Sequence, residues 1–218
     1  MAIKHLPKIL IARKNKAEVN HCDLKRRVSI KIIYGLGNPG SAFVKSRHSL
    51  GKLMVSMYAD SMAFPKNWPS TKENLTLVLS TSYMNDSGKQ LKKISNDFVR
   101  KVSPLDKIVY VVVHDELELD LGKVKLRLPG GSHRGHNGIR SCQEFLGKEV
   151  RYTFNFITNS KSFYRIGLGI GRCESRNRED VSDYVLSKFN SNEMKLIETD
   201  IFHKFCNILQ QLQLSIET

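Results

Sequence analysis

Two residues in this chain combine a titratable side chain with a setting that could use it. His48, in Ser46-Arg47-His48-Ser49, stands just ahead of a helical period that starts at Leu50. A helix N-terminus carries partial positive charge, which biases an imidazole there toward the neutral form that a general base needs. Asp115, in His114-Asp115-Glu116-Leu117, follows the most β-branched run in the chain, Ile108 to Val113. Ligands of open α/β sheets gather at the carboxyl ends of strands, so Asp115 is placed to accept the second ring N–H of His48. The serines and the four cysteines fall in no Gly-x-Ser-x-Gly elbow or comparable nucleophile setting. A His–Asp pair without a protein nucleophile points to activated water, hence to hydrolysis.

Amide side chains cluster in three further segments. Asn38 lies in Gly35-Leu-Gly37-Asn38-Pro39-Gly40, Asn85 in Tyr83-Met84-Asn85-Asp86-Ser87-Gly88, and Asn137 in Gly130-Gly-Ser-His-Arg-Gly-His136-Asn137-Gly138. All three are expected in loops beside turn glycines. Each asparagine offers a donor and an acceptor without charge, which suits peptide-like groups or a developing oxyanion. The first segment also fits the G-x-G-x-x-G of dinucleotide sites. That pattern wants its glycines to open a helix and an acidic residue about 20 positions on. Here Pro39 stiffens the loop, and the run Leu75 to Leu79 is followed by Ser80-Thr81-Ser82. A dinucleotide oxidoreductase is the weaker reading, and the missing Gly-Lys-Ser/Thr ending argues against NTP hydrolysis.

The elements that must carry these groups alternate between strand and helix periods. Strands are expected at Val28 to Leu36, Leu75 to Leu79, Ile108 to Val113, Val124 to Leu128 and Tyr164 to Ile170. Helical faces run through Leu50, Leu53, Met54, Met57 and Tyr58, then Leu91, Ile94 and Phe98, then Ile139, Cys142, Phe145 and Leu146. A long amphipathic helix from Met194 to Leu212 closes the chain, preceded by the polar loop CESRNRED. The expected fold class is α/β, one globular domain with a mixed, mostly parallel sheet flanked by helices. It spans residues 28–218, behind a basic extension at 1–27.

Charge narrows the partners. The 218 residues carry a formal net charge of +14. Nine basic and two acidic residues fall in 1–31, and ten basic and two acidic in 123–172. Such blocks suit polyanions, since Lys and Arg contacts to phosphates release condensed counterions. No apolar run approaches the roughly 20 residues of a membrane span. Cys22, Cys142, Cys173 and Cys206 form no Cys-x-x-Cys pair and the seven histidines no ligand spacing, so neither metal nor disulfide is expected. The head, rich in Lys and free of Ser, stays open between mitochondrial targeting and a plain basic tail or RNA-contacting arm. The expected location is therefore mitochondrial or cytoplasmic.

Seven ordered blocks from about Val28 to Phe189 resemble the bacterial-type peptidyl-tRNA hydrolases: GLGNPG, SRHSLG, TSYMNDSG, VVVHDELELDLGKVKLR, GGSHRGHNGIRS, YRIGLGIGR and DYVLSKF. The resemblance implies a single α/β domain, a monomer without cofactor, that hydrolyses the ester joining a peptide to the 3′ end of tRNA. It makes His48 the base and Asp115 its support. Asn38, Phe43, Tyr83, Asn85 and Asn137 fall at substrate-contact positions, and Lys125, Arg127 and Arg165 at positions that grip tRNA phosphates. Ser46, Ser49 and Phe43 replace the family's usual Thr, Asn and Tyr, and Ser49 is expected to cap the first helix. The GGSHRG segment is one residue longer than the common form. The alternative is a non-catalytic RNA-binding relative that keeps much of the site.

Overall fold

Apolar alternation becomes strand and 3.6-residue periodicity becomes helix over most of the chain. A computed structural model describes residues 29–101, 107–146 and 163–216. The basic head and its targeting reading lie outside the described residues. In chain order the elements are β1 (Ser29–Gly35), α1 (Leu50–Ser61), β2 (Ser70–Lys72), β3 (Leu75–Leu79), α2 (Ser87–Val99) and β4 (Lys107–Glu116). They continue as β5 (Val124–Arg127), α3 (Asn137–Leu146), β6 (Tyr164–Gly169), α4 (Arg178–Leu186), α5 (Ser191–Leu196) and α6 (Phe202–Ile216). The strands form one six-stranded sheet in the order β2-β3-β1-β4-β6-β5. β3, β1, β4 and β6 are parallel, while β2 and β5 pair antiparallel at the two edges.

Helices cover both faces, which is why the central strand reads as a continuous β-branched run. Val111 and Val113 of β4 pack with Leu50, Met54, Ile201 and Phe205 on one face. Val112 turns to the other face and joins Ile32, Tyr34, Leu91 and Ile139. The sheet is therefore mixed, with a parallel centre between two helical layers, as the sequence led us to expect.

Three features depart from the sequence reading. The edge strand β2 is short and polar, with only Ser70 buried, so it carries no apolar alternation to detect. The segment CESRNRED is a loop only as far as Asn177, whose side chain accepts the Glu179 N–H at 3.2 Å and starts α4. Glu179 and Asp180 then sit in the first turn, where the helix dipole favours acids. The closing helix starts earlier than its apolar period, at a capping box made by Asn190 and Glu193, and a π turn at Ile197–Ile201 separates α5 from α6.

The contact that aims the site is the seat of α1 on the sheet. A Cβ on Gly51 would stand 2.2 Å from the Val113 carbonyl oxygen, and one on Gly35 would stand 2.7 Å from the Gly51 oxygen. The missing side chains let α1 touch β1 and β4 through backbone, which brings its N-terminal turn to the end of β4. Lys52 N–H donates to Leu36 O at 2.8 Å and Leu36 N–H to Val113 O at 2.9 Å, fastening loop, helix and strand together. Alanine is the better helix former by about 1 kcal/mol. Even so, Gly51→Ala should lose about 1–3 kcal/mol in urea unfolding, because the methyl must lift α1 off the strand. A variant as stable as the wild type would overturn this close-packing account.

Candidate active site

β4 ends by carrying a carboxylate out of the core. Asp115 is 2% exposed, and three hydrogen bonds meet it. His48 Nδ1 lies 3.0 Å from both carboxylate oxygens, and His136 Nε2 lies 3.0 Å from Oδ1. Burial pushes the Asp115 carboxyl upward, but the electrostatic pull and hydrogen bonds of the two imidazoles outweigh it and hold it well below the usual range. Asp115 is therefore ionised, and His48 Nδ1 must be the donor. That leaves His48 Nε2 to accept a proton.

His48 does meet Asp115, but its bias is the reverse of the one expected from the helix N-terminus. Burial pulls its proton affinity down, and the charge and hydrogen bond of Asp115 more than restore it, so it ends above the ordinary 6.5. A full charge at 3.0 Å outweighs the partial charge of one helix turn.

His136 is the member of the cluster that the sequence reading passed over. It sits immediately ahead of α3, and its Nδ1 accepts the N–H groups of Gly138 at 3.1 Å and Ile139 at 3.3 Å. An Nδ1 that accepts leaves the proton on Nε2, the nitrogen facing Asp115. The signal was available: His136 directly precedes the helical period through Ile139 and Cys142, where helix N–H groups seek an acceptor. The donor atoms of His48, Asp115 and His136 lie within 4.8 Å of one another, the spacing of a metal ligand set. Their lone pairs and protons are matched to each other instead, since His136 Nε2 is a donor. The cluster is a hydrogen-bond network.

The asparagines occupy three different settings. Asn38 is in the loop after β1, 8% exposed, and its Oδ1 accepts the Met84 N–H at 3.0 Å. That bond fixes the amide, leaving its NH2 as the group to offer a substrate carbonyl. Its backbone N–H donates to Ser49 Oγ at 3.2 Å, and Ser49 Oγ lies 3.1 Å from Ser46 Oγ, which donates to Phe43 O at 3.0 Å. One order of hydroxyl protons satisfies the whole chain. Ser49 therefore does not cap α1 with its side chain, as expected, but ties the Asn38 loop to the His48 turn. Asn85 is exposed within the turn Met84–Asp86, behind the exposed Tyr83. Asn137 is not in a loop: it is the first residue of α3 and half-buried. Phe43 is half-buried in the turn Ser41–Phe43. The blocks converge at Gly138, where an added Cβ would lie 2.3 Å from Met84 Sδ, 2.9 Å from Leu36 and 3.2 Å from the His136 ring.

The DYVLSKF segment braces the His48 turn from outside. Arg47 N–H donates to Ser187 O at 3.0 Å and Phe189 N–H to Lys45 O at 3.1 Å. The Arg47 guanidinium pairs with Glu193 at 2.8 Å and lies over the rings of Tyr184 and Phe189. Arg47 is thus a buried clamp between the His48 turn and the α4–α5 region.

Of the expected phosphate-gripping residues, Lys125 is exposed on β5. Arg127 is half-buried and paired with Glu116. Arg165 is 7% exposed, and its Nη1 donates to Ser132 O at 2.7 Å. The carboxylate of Glu116 also draws Arg134 to 3.7 Å, so Arg127 and Arg134 converge on one buried acid.

Comparison with known proteins identifies the family of the chain and its fold. The family described as peptidyl-tRNA hydrolase matches residues 32–217. A probable peptidyl-tRNA hydrolase of Schizosaccharomyces pombe is 94% identical over 218 residues, 100% of both chains. The peptidyl-tRNA hydrolase of Thermodesulfovibrio yellowstonii is 35% identical over 179 residues, covering 78% of this chain and 86% of that one. Among solved structures, the peptidyl-tRNA hydrolase of Acinetobacter baumannii is similar with a TM-score of 0.66 and 32% identity, over 86% of this chain and 92% of that one. Fold, ordered blocks and the His–Asp centre all meet in one assignment: the chain belongs to the peptidyl-tRNA hydrolase family.

Proposed function

We propose that this protein hydrolyses the ester between a peptide and the 3′ end of tRNA, with His48 as general base and Asp115 as its positioning residue. The observation that carries the reading is the bond from His48 Nδ1–H to an ionised, buried Asp115, which leaves Nε2 as the proton acceptor. His48 Nε2 takes a proton from water, and the water oxygen attacks the ester carbonyl carbon. The bond to the 3′ ribose oxygen breaks, and the proton held by His48 goes to that oxygen. The Asn38 amide NH2 donates to the peptide carbonyl or the developing oxyanion. Following the family resemblance, Tyr83, Asn85 and Asn137 contact the substrate, and Phe43 offers a stacking face to the tRNA end. The tRNA body is held through phosphates, which suits acceptance of many tRNAs. Lys125 reaches phosphates directly, while Arg127 and Arg165 serve the same face with their guanidinium groups shared with Glu116 and Ser132.

Single-turnover hydrolysis of an N-blocked aminoacyl-tRNA should fall at least about 10²-fold in His48→Ala, the scale of a lost general base. Undiminished turnover in that variant would remove His48 from the mechanism. Hydrolysis by the wild type, in turn, separates the enzyme from an RNA-binding relative that keeps the site without turnover.

Since the neutral imidazole is the active form and Asp115 raises its proton affinity, activity should be lost as pH falls through a midpoint above the ordinary 6.5. Asp115→Asn removes the charge, so the acid limb of kcat/KM should move to lower pH while kcat drops about 10²-fold or more. An unmoved midpoint in that variant would contradict the account of His48.

Lys125→Ala should weaken tRNA binding and flatten its salt dependence by roughly 0.9 in the log–log slope, one phosphate contact. An unchanged slope would take Lys125 off the tRNA face.

A further inference from the structure

The His48–Asp115 pair has a third member whose ring orientation and tautomer are fixed by backbone. His136 Nδ1 accepts two N–H groups at the start of α3, from Gly138 and Ile139. Both come from amides that have no partner inside a helix, so the imidazole satisfies them. With Nδ1 used as an acceptor, the proton sits on Nε2, 3.0 Å from Asp115 Oδ1. The ring is wedged between two others, its centroid 4.9 Å from that of His48 and 5.0 Å edge-on from that of His114. His136 is 10% exposed, so little water can take over its bond to a carboxylate that is itself 2% exposed.

We propose that His136 is a positioning residue that sets the basicity of His48, by donating a hydrogen bond from its Nε2–H to the far side of Asp115. This rests on His48 being the base, and its physics is simple. When His48 is neutral the pair carries one negative charge, and when His48 is protonated it carries none. A neutral donor on Asp115 stabilises the charged state more than the uncharged one. The bond from His136 therefore holds down the pull of Asp115 on the His48 proton and keeps more of the base unprotonated near neutral pH. Without His136, Asp115 would raise His48 further and trap it as imidazolium.

The surrounding titratable groups do not compete for this role. His114, on the same strand, donates from Nδ1 to the Asp115 backbone carbonyl at 2.7 Å, and burial pushes it down to about 3, so it stays neutral. Glu116 is occupied by Arg127 and Arg134, and Arg165 by Ser132. On the turn of His48 itself, Arg47 is held by Glu193. From α1, Lys52 is half-buried and its proton affinity is lowered by burial. Among the described residues, the groups that hold the Asp115 carboxyl down are the two histidines.

The test is the His48 titration, followed by NMR of the imidazole in the full-length protein and in parallel as the acid limb of kcat/KM. In folded His136→Ala and His136→Phe the midpoint should rise by about half a unit or more, an approximately threefold loss of active base on the acid side. His136→Gln, which keeps an N–H donor, should return it most of the way. A midpoint that does not rise in either apolar variant, or a Gln variant shifted as far as Ala, overturns the proposal, even if kcat falls in all of them. Should the apolar variants fail to fold, nitrogen shifts of His136 in the wild type decide: the Nε2–H tautomer supports the proposal, and the Nδ1–H tautomer overturns it. Because the NMR titration needs no turnover, its failure is distinguishable from failure of the hydrolase reading, which the His48→Ala assay tests.

Discussion

An ionised carboxylate buried at the end of an apolar strand must be matched by donors, or it stays protonated and does nothing. Asp115 meets that constraint with two imidazoles, one from the turn before α1 and one from the turn before α3. Both turns are helix N-termini, but the helices lie on opposite faces of the sheet. The carboxylate is thus where the two helical layers meet around the end of β4. Losing either histidine would leave part of a buried charge without its donor, at a cost that bonds between neutral groups elsewhere do not approach.

That constraint explains where the fold is tight. α1 sits on bare backbone at Gly35 and Gly51, and α2 approaches α3 as closely, since a Cβ on Gly88 would stand 2.1 Å from Ser141 O. Both close approaches lie in the helical turns next to the site, where a shift of an ångström would open the hydrogen bonds to Asp115. Ser46 and Ser49 add a polar link of the same kind between the His48 turn and the Asn38 loop. A family position usually filled by asparagine is filled here by a shorter hydroxyl. It still reaches the Asn38 backbone because Gly37 lets the loop lie against it, a Cβ there being 3.1 Å from Ser49.

Much of this was legible from residue order. Ile108 to Val113 announced a strand buried on both faces, and the placement of Asp115 after it gave the carboxylate its location. What stayed hidden was of two kinds. β2 and the first turn of α4 are polar, and their structure comes from an edge pairing and from an Asn177 cap, neither of which leaves an apolar period. His136 was hidden for another reason. Its role depends on which ring nitrogen faces the helix amides, and only the folded geometry of α3 against β4 decides that. The direction of the bias on His48 stayed hidden as well, because sequence shows the helix terminus but not the distance to Asp115.

The described parts of the basic stretch, residues 123–146 and 163–172, take on a different meaning once their side chains are placed. Net charge alone casts each arginine as a potential phosphate contact. In the structure, Arg127 and Arg134 turn toward Glu116, whose carboxylate lies over Gly167, where a Cβ would be 2.0 Å from Oε2. Arg165 runs beneath the Gly130–Ser132 turn, with Nη2 2.2 Å from where a Gly131 Cβ would be. Part of the positive charge thus builds the rim of the site from inside, anchored to a buried acid one residue from Asp115. The two consecutive acids of β4 divide the work: Asp115 gathers two histidines, and Glu116 gathers arginines. Guanidinium groups already held by Glu116 and Ser132 have less side-chain freedom left to lose than free side chains in solvent, so this rim is ordered before anything meets it.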